Sequence, residues 1–152
     1  MKTKELIETF LQPYDNEVRY LQSFKLSGNK GIGVFRIQHN FYSTFVATRH
    51  FTAVELQLCL NQLLYVYFAQ KGIFDFLKHE GVFREVLKFQ NSKTFITEQF
   101  VRYKKAIDVS KEIIGEVELI RSKKIRETYF LDCQFNFNKM CLGNVKSIVK
   151  EH

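Results

Sequence analysis

The stretch from Thr52 to about Ala69 constrains this chain more than any other feature, because it reads as a helix with no polar side. Ala53, Val54, Leu56, Leu60, Leu63, Val66 and Phe68 fall on different faces of it, and a helix that is apolar all round is buried. Its start is well marked. Thr52 and Glu55 have the spacing of a capping box, and Phe51 and Leu56 occupy the hydrophobic staple positions on either side of that cap. A membrane span is the competing reading. Glu55, Gln57, Asn61 and Gln62 interrupt the stretch, and at roughly 27 Å it is short for crossing hydrocarbon.

A helix buried on every side needs a layer that wraps it, and the rest of the chain supplies strands. Sixteen Phe and seven Tyr with a single Pro favour long strands with few interruptions. Lys4 to Leu11 has helical spacing and Pro13 ends it. Val18–Ser27 and Gly31–Gln38 flank Gly28-Asn29-Lys30 as a hairpin. Gly31, Gly33, Phe35 and Ile37 share one face of its second strand, and the two glycines let something pack close there. A further helix is expected around Ile73 to Lys78. Strands are then expected at Thr94–Ile107, Ile113–Arg121, Ile125–Asn138 and Met140–Val149. Tyr129, Leu131, Cys133, Phe135 and Phe137 alternate with Phe130, Asp132, Gln134, Asn136 and Asn138, giving one buried and one wetter face. The fold class is therefore α+β, an antiparallel sheet around a long central helix. No repeat or linker divides residues 1–152, which read as a single domain.

Charge and cysteine usage exclude several functions. The net charge of +7 invites a nucleic-acid reading, but Lys104-Lys105 and Lys123-Lys124 are pairs among interleaved acids, so a solvated strand edge or a phosphorylated ligand explains them better. Coenzyme A is such a ligand. The first residues carry Glu5 and Glu8 where a secretory signal needs an apolar run, so a cytoplasmic protein is expected. Cys59, Cys133 and Cys141 are odd in number and lack metal-ligand spacing, and read as buried thiols with no metal.

No GxSxG elbow, Walker loop, GxGxxG turn or HExxH helix is present. The informative segment is His50-Phe51-Thr52-Ala53-Val54-Glu55, continued on the same helix by Asn61-Gln62 and Tyr65. Val54, Leu58, Asn61, Tyr65 and Phe68 fall along one stripe, which sets an amide beside a phenol on a greasy surface. An amide buried there is either hydrogen-bonded or lining a cavity.

On these residues the chain resembles the FcoT-type long-chain acyl-CoA thioesterases. The resemblance rests on Arg49-His50-Phe51-Thr52-Ala53-Val54-Glu55-Leu56, on Leu58-Cys59-Leu60-Asn61-Gln62-Leu63 with Tyr65, and on Leu11-Gln12-Pro13-Tyr14 ahead of Arg19-Tyr20-Leu21. It covers the first half of the chain; the second half shares its strand-rich character. It implies a hotdog fold, homodimers or larger oligomers, and hydrolysis of fatty acyl thioesters. No cofactor is implied beyond the coenzyme A or phosphopantetheine of an acyl-CoA or acyl carrier protein substrate. Carried over by motif, the catalytic asparagine is Asn61 and one tyrosine is Tyr14. A second family tyrosine matches Thr44 here, with Tyr42 two residues away on the same strand face, and an asparagine just after the His-Phe pair is replaced by Thr52.

A mechanism also follows from the residues alone. The N–H groups of Ala53 and Val54, at the positive end of a buried helix, can polarise a thioester carbonyl, while Asn61 and a tyrosine position water and His50 or Glu55 supplies the base. Plainer roles compete. Glu55 is explained by the capping box, His50 by the strand-to-helix corner, and Tyr14 and Tyr65 by packing. Three classes stay open: thioester hydrolysis, addition of water or an amine to an enoyl thioester, and non-catalytic binding of an acyl ligand or nucleic acid.

Overall fold

The computed structural model describes residues 3–37, 50–75 and 93–151. A short helix α1 (Thr3–Leu11) leads through one turn of 3-10 helix (Asn16–Val18) into strands β1 (Leu21–Ser27) and β2 (Lys30–Phe35). The long helix α2 (Ala53–Gln70) follows, then β3 (Thr94–Tyr103), β4 (Ile113–Ile125), β5 (Thr128–Phe137) and β6 (Cys141–Lys150). The six strands form one sheet in the order β1-β2-β4-β5-β6-β3, antiparallel throughout. The expected α+β class is observed. Residues 76–92 lie outside the described ones, so the expected helix from Ile73 to Lys78 is described only as a turn over residues 71–75, with Ile73 and Phe74 buried.

The cap of α2 forms as its sequence requires. The Thr52 hydroxyl accepts from the Val54 N–H at 3.2 Å, and the Glu55 carboxylate accepts from the Thr52 N–H at 2.9 Å and from the Thr52 hydroxyl. Phe51 and Leu56 are both buried around that cap. From there α2 runs along the concave face of the sheet, with Cys59, Leu60, Leu63, Val66 and Tyr67 wholly inaccessible. Among the described residues no helix is long and apolar enough to cross a membrane.

At the glycine pair of β2 the helix side chains press directly on the strand. A methyl group on Gly31 would lie 2.6 Å from the Tyr67 ring, and one on Gly33 would lie 2.9 Å from Leu63 Cδ1. Both belong to the same buried face as Phe35. Along β5 the expected alternation holds, with Leu131, Cys133, Phe135 and Phe137 buried.

Strand limits shift where another bond competes. The expected strand from Val18 starts instead at Leu21, because Gln62 on α2 captures the backbone just before it. Its Oε1 accepts from the Tyr20 and Leu21 N–H groups, each at 3.0 Å, and its Nε2 donates to the Val18 carbonyl at 2.7 Å. β3 ends at Tyr103 rather than Ile107, and the Ile107 carbonyl accepts from the Phe51 N–H at 2.9 Å, which anchors the entry to α2. β4 extends to Ile125 beyond the end of β2, so Lys123 and Lys124 do sit on a solvated strand edge. Lys124 pairs there with Glu151 at 2.6 Å.

Candidate functional site

The Leu11-Gln12-Pro13-Tyr14 segment is tied down by Arg19, whose guanidinium donates to the Tyr14 carbonyl at 2.7 Å and to the Gln12 carbonyl at 3.1 Å. Gln62 fixes the residues just after Arg19. The neighbouring residues of the Asn-Gln pair therefore divide the work: Gln62 fastens α2 to the start of β1, while Asn61, turned about 100° around the helix, faces Tyr14 across a cavity.

That cavity, about 450 Å³, is lined by Pro13 and Tyr14, by Gln57, Asn61, Leu64, Tyr65 and Phe68 of α2, and by Thr94, Ile96 and Ser147 of the sheet. Asn61, Tyr65 and Phe68 of the stripe expected from helical spacing thus reach one site. Val54 and Leu58 of that stripe do not line it; Val54 is 41% exposed. Tyr65 also packs against Phe10 and Phe74, with ring centroids 6.3 and 6.4 Å away.

The electrostatics of the site are those of neutral donors. Among the described residues that line it there is no His, Cys, carboxylate or cationic side chain. Burial raises the Tyr65 phenol to about 12. Burial, with a smaller contribution from neighbouring Tyr65, pushes the Tyr14 phenol further above its ordinary value. Both phenols are therefore protonated at neutral pH and are available as hydrogen-bond donors. Asn61 Oδ1 accepts a hydrogen bond of 2.8 Å from Gln57 Nε2, which leaves the Asn61 NH₂ group available to donate.

The remaining candidates lie elsewhere. Thr52, Ala53 and Val54 are at the start of α2, about 12 Å along the helix from Asn61. There the Val54 N–H is already bonded to the Thr52 hydroxyl, and Ala53 and Val54 are exposed. Glu55 is fully buried within the capping box. His50 is exposed and bridges to Asp108 on its backbone. None of these five lines the cavity, and Tyr42 and Thr44 lie outside the described residues. Sequence reasoning missed Gln57, Thr94 and Ser147. Gln57 was within reach, since a side chain one turn before Asn61 is its natural partner; the other two depend on which strand faces the helix.

A six-stranded antiparallel sheet closed around one long helix defines a hotdog protein. The chain belongs to the FcoT-like thioesterase family, whose model matches residues 9–146. No curated protein sequence matches it. Solved structures share the fold at low identity. A sigma28-regulated virulence protein from Campylobacter jejuni is 7% identical with a TM-score of 0.58, covering 99% of this chain and 98% of its own. The dehydratase domain of RzxB from Pseudomonas fluorescens is 8% identical with a TM-score of 0.60, covering 97% of this chain and 48% of its own. A hypothetical thioesterase from Streptococcus pneumoniae, solved with coenzyme A, is 10% identical with a TM-score of 0.53, covering 92% of this chain and 96% of its own.

Proposed function

We propose that this protein hydrolyses acyl thioesters of coenzyme A or an acyl carrier protein, and that the cavity bounded by Asn61, Tyr14 and Tyr65 is where the thioester carbonyl binds. The observation that carries this reading is the orientation of Asn61. With Oδ1 engaged by Gln57, its NH₂ group offers an N–H donor to a group that gains negative charge, as a thioester oxygen does when water attacks. The partly buried, protonated phenols of Tyr14 and Tyr65 add donors that do not ionise at neutral pH. Water adds to the carbonyl carbon, the C–S bond breaks, and the acid and the free thiol leave.

This assigns Asn61 to the carbonyl oxygen rather than to the attacking water. Thr52, Ala53, Val54 and Glu55 then serve to start and seat α2, and His50 to close the corner before it. Dehydration and enoyl addition call for an acid–base pair near the substrate, and among the described lining residues no such pair is present. Self-association into a homodimer or larger assembly is part of the same proposal, and sedimentation of the purified protein measures it.

The test is thiol release from a panel of acyl-CoAs of increasing chain length and from an acylated carrier protein, with the wild type and Asn61→Ala side by side. Turnover by the wild type and a large loss in a folded variant support the reading. No turnover of any thioester overturns it.

A further inference from the structure

Two hydroxyl groups on the sheet wall of the cavity find no hydrogen-bond partner among the described residues. Ser147 on β6 is 3% exposed, and its Oγ is unpaired; the Oγ1 of Thr94 on β3 is likewise shut off from solvent and unpaired. They are diagonal neighbours, since Thr94 pairs with Val149 and Ile96 with Ser147, and both line the cavity opposite Asn61. A buried hydroxyl without a partner is unfavourable, and Ala or Val would fill the same space without that cost. Both side chains line the cavity with their hydroxyl oxygens turned out of it, so a change of χ1 rotamer brings either hydroxyl to a ligand that supplies the missing partner.

We propose that Thr94 and Ser147 receive a hydrogen-bonding substituent on the acyl part of the substrate, a hydroxyl or oxo group close to the thioester. They then act as specificity-determining residues that favour such acyl groups over plain alkyl ones. The inference rests on the thioester reading above. The cavity of about 450 Å³ holds both walls, so a group bonded to Ser147 lies near the carbonyl at Asn61 rather than at the far end of a long chain. A site that bonds a substrate hydroxyl discriminates strongly against the analogue lacking it, because its own polar groups are then left unpaired.

The test compares coenzyme A thioesters of one chain length, unsubstituted and with α-hydroxy, β-hydroxy or β-oxo groups, on the wild type and on a Thr94→Val, Ser147→Ala double variant. The wild type is expected to favour its best substituted ester by about tenfold in kcat/KM, the size of one good hydrogen bond. The double variant is expected to bring that ratio to within about twofold of unity. Its thermal midpoint should not fall, because the lost hydroxyls leave no protein partner behind. A wild type without preference, or a variant that keeps it, overturns the proposal. So does a variant that slows plain and substituted esters by the same factor, which would assign the hydroxyls to the amides of the pantetheine arm. The same pairs are also measured as thioether analogues by calorimetry. A preference in Kd there with no turnover of any thioester would reject hydrolysis while leaving this inference in place, and no preference in Kd would reject the inference itself.

Discussion

Gln57 donates to Asn61 across one turn of α2 at 2.8 Å, so the Asn61 oxygen is engaged along the helix and its NH₂ group is the half left to donate. Asn61→Ala is expected to lower kcat by about 10²–10³, the usual loss for an oxyanion donor. Asn61→Asp should be at least as damaging, because a carboxylate cannot donate and repels the developing charge. Gln57→Leu should cost about tenfold in kcat with little change in KM, since the amide loses its orientation but not its chemistry. Steady-state kinetics on one acyl-CoA separates these cases, and wild-type kcat in Gln57→Leu would show that the orienting bond is unimportant.

The pH dependence of stability follows from the buried neutral groups. Burial raises the Tyr65 phenol from 10.0 to about 12, the Cys133 thiol from 9.0 to about 12 with a smaller push from Asp132, and the Cys141 thiol from 9.0 to about 11. For each, the folded state holds its proton more tightly than the unfolded chain. The contribution to stability is complete below the unfolded value and is lost as pH rises through the folded one. The urea midpoint should therefore show no pH dependence from these groups below about pH 8 and should decline from about pH 9 upward. All three thiols should resist a soluble thiol reagent at pH 8 until denaturant is added. Fast labelling of the folded protein would contradict their burial.

Gln62 is the polar side chain on which the junction of α2 and β1 depends. Gln62→Leu keeps the volume but strips partners from two buried N–H groups and one carbonyl, with an expected cost of about 2–4 kcal/mol in chemical denaturation. It should also reduce activity through Tyr14, because the segment carrying that phenol reaches β1 through the residues that Gln62 holds. A neutral effect on stability would mean that the backbone finds other partners.

The close approach at β2 is sensitive to a single methyl group. In Gly33→Ala the new carbon would sit 2.7 Å from Leu21 Cδ1 and 2.9 Å from Leu63 Cδ1, and repacking should cost about 1–3 kcal/mol. Gly28→Ala meets no atom within 4 Å, and its cost comes only from the positive φ of 61° at the hairpin turn. Thermal melts of the two variants distinguish crowding from backbone strain, and equal, small losses would argue against tight packing at Gly33.

What was legible in the amino-acid sequence was local. The central helix, its Thr52–Glu55 cap, the alternation of β5 and the glycine face of β2 each follow from a period or a spacing within a few residues, and backbone geometry alone dictates them. The stripe that unites Asn61 and Tyr65 is of the same kind. The tertiary structure decided everything that needed two distant segments at once. It took Gln62 from the surface of a greasy helix to the backbone of β1, and it shortened β1 and β3 by competing for their hydrogen bonds. It placed Glu55 in its cap, away from the cavity, and brought Thr94 of β3 and Ser147 of β6 onto the cavity that Asn61 lines. Periodicity shows which side of an element is buried, but which buried side meets which depends on strand order and register. Those are set by the sum of contacts over the whole core rather than by any one segment.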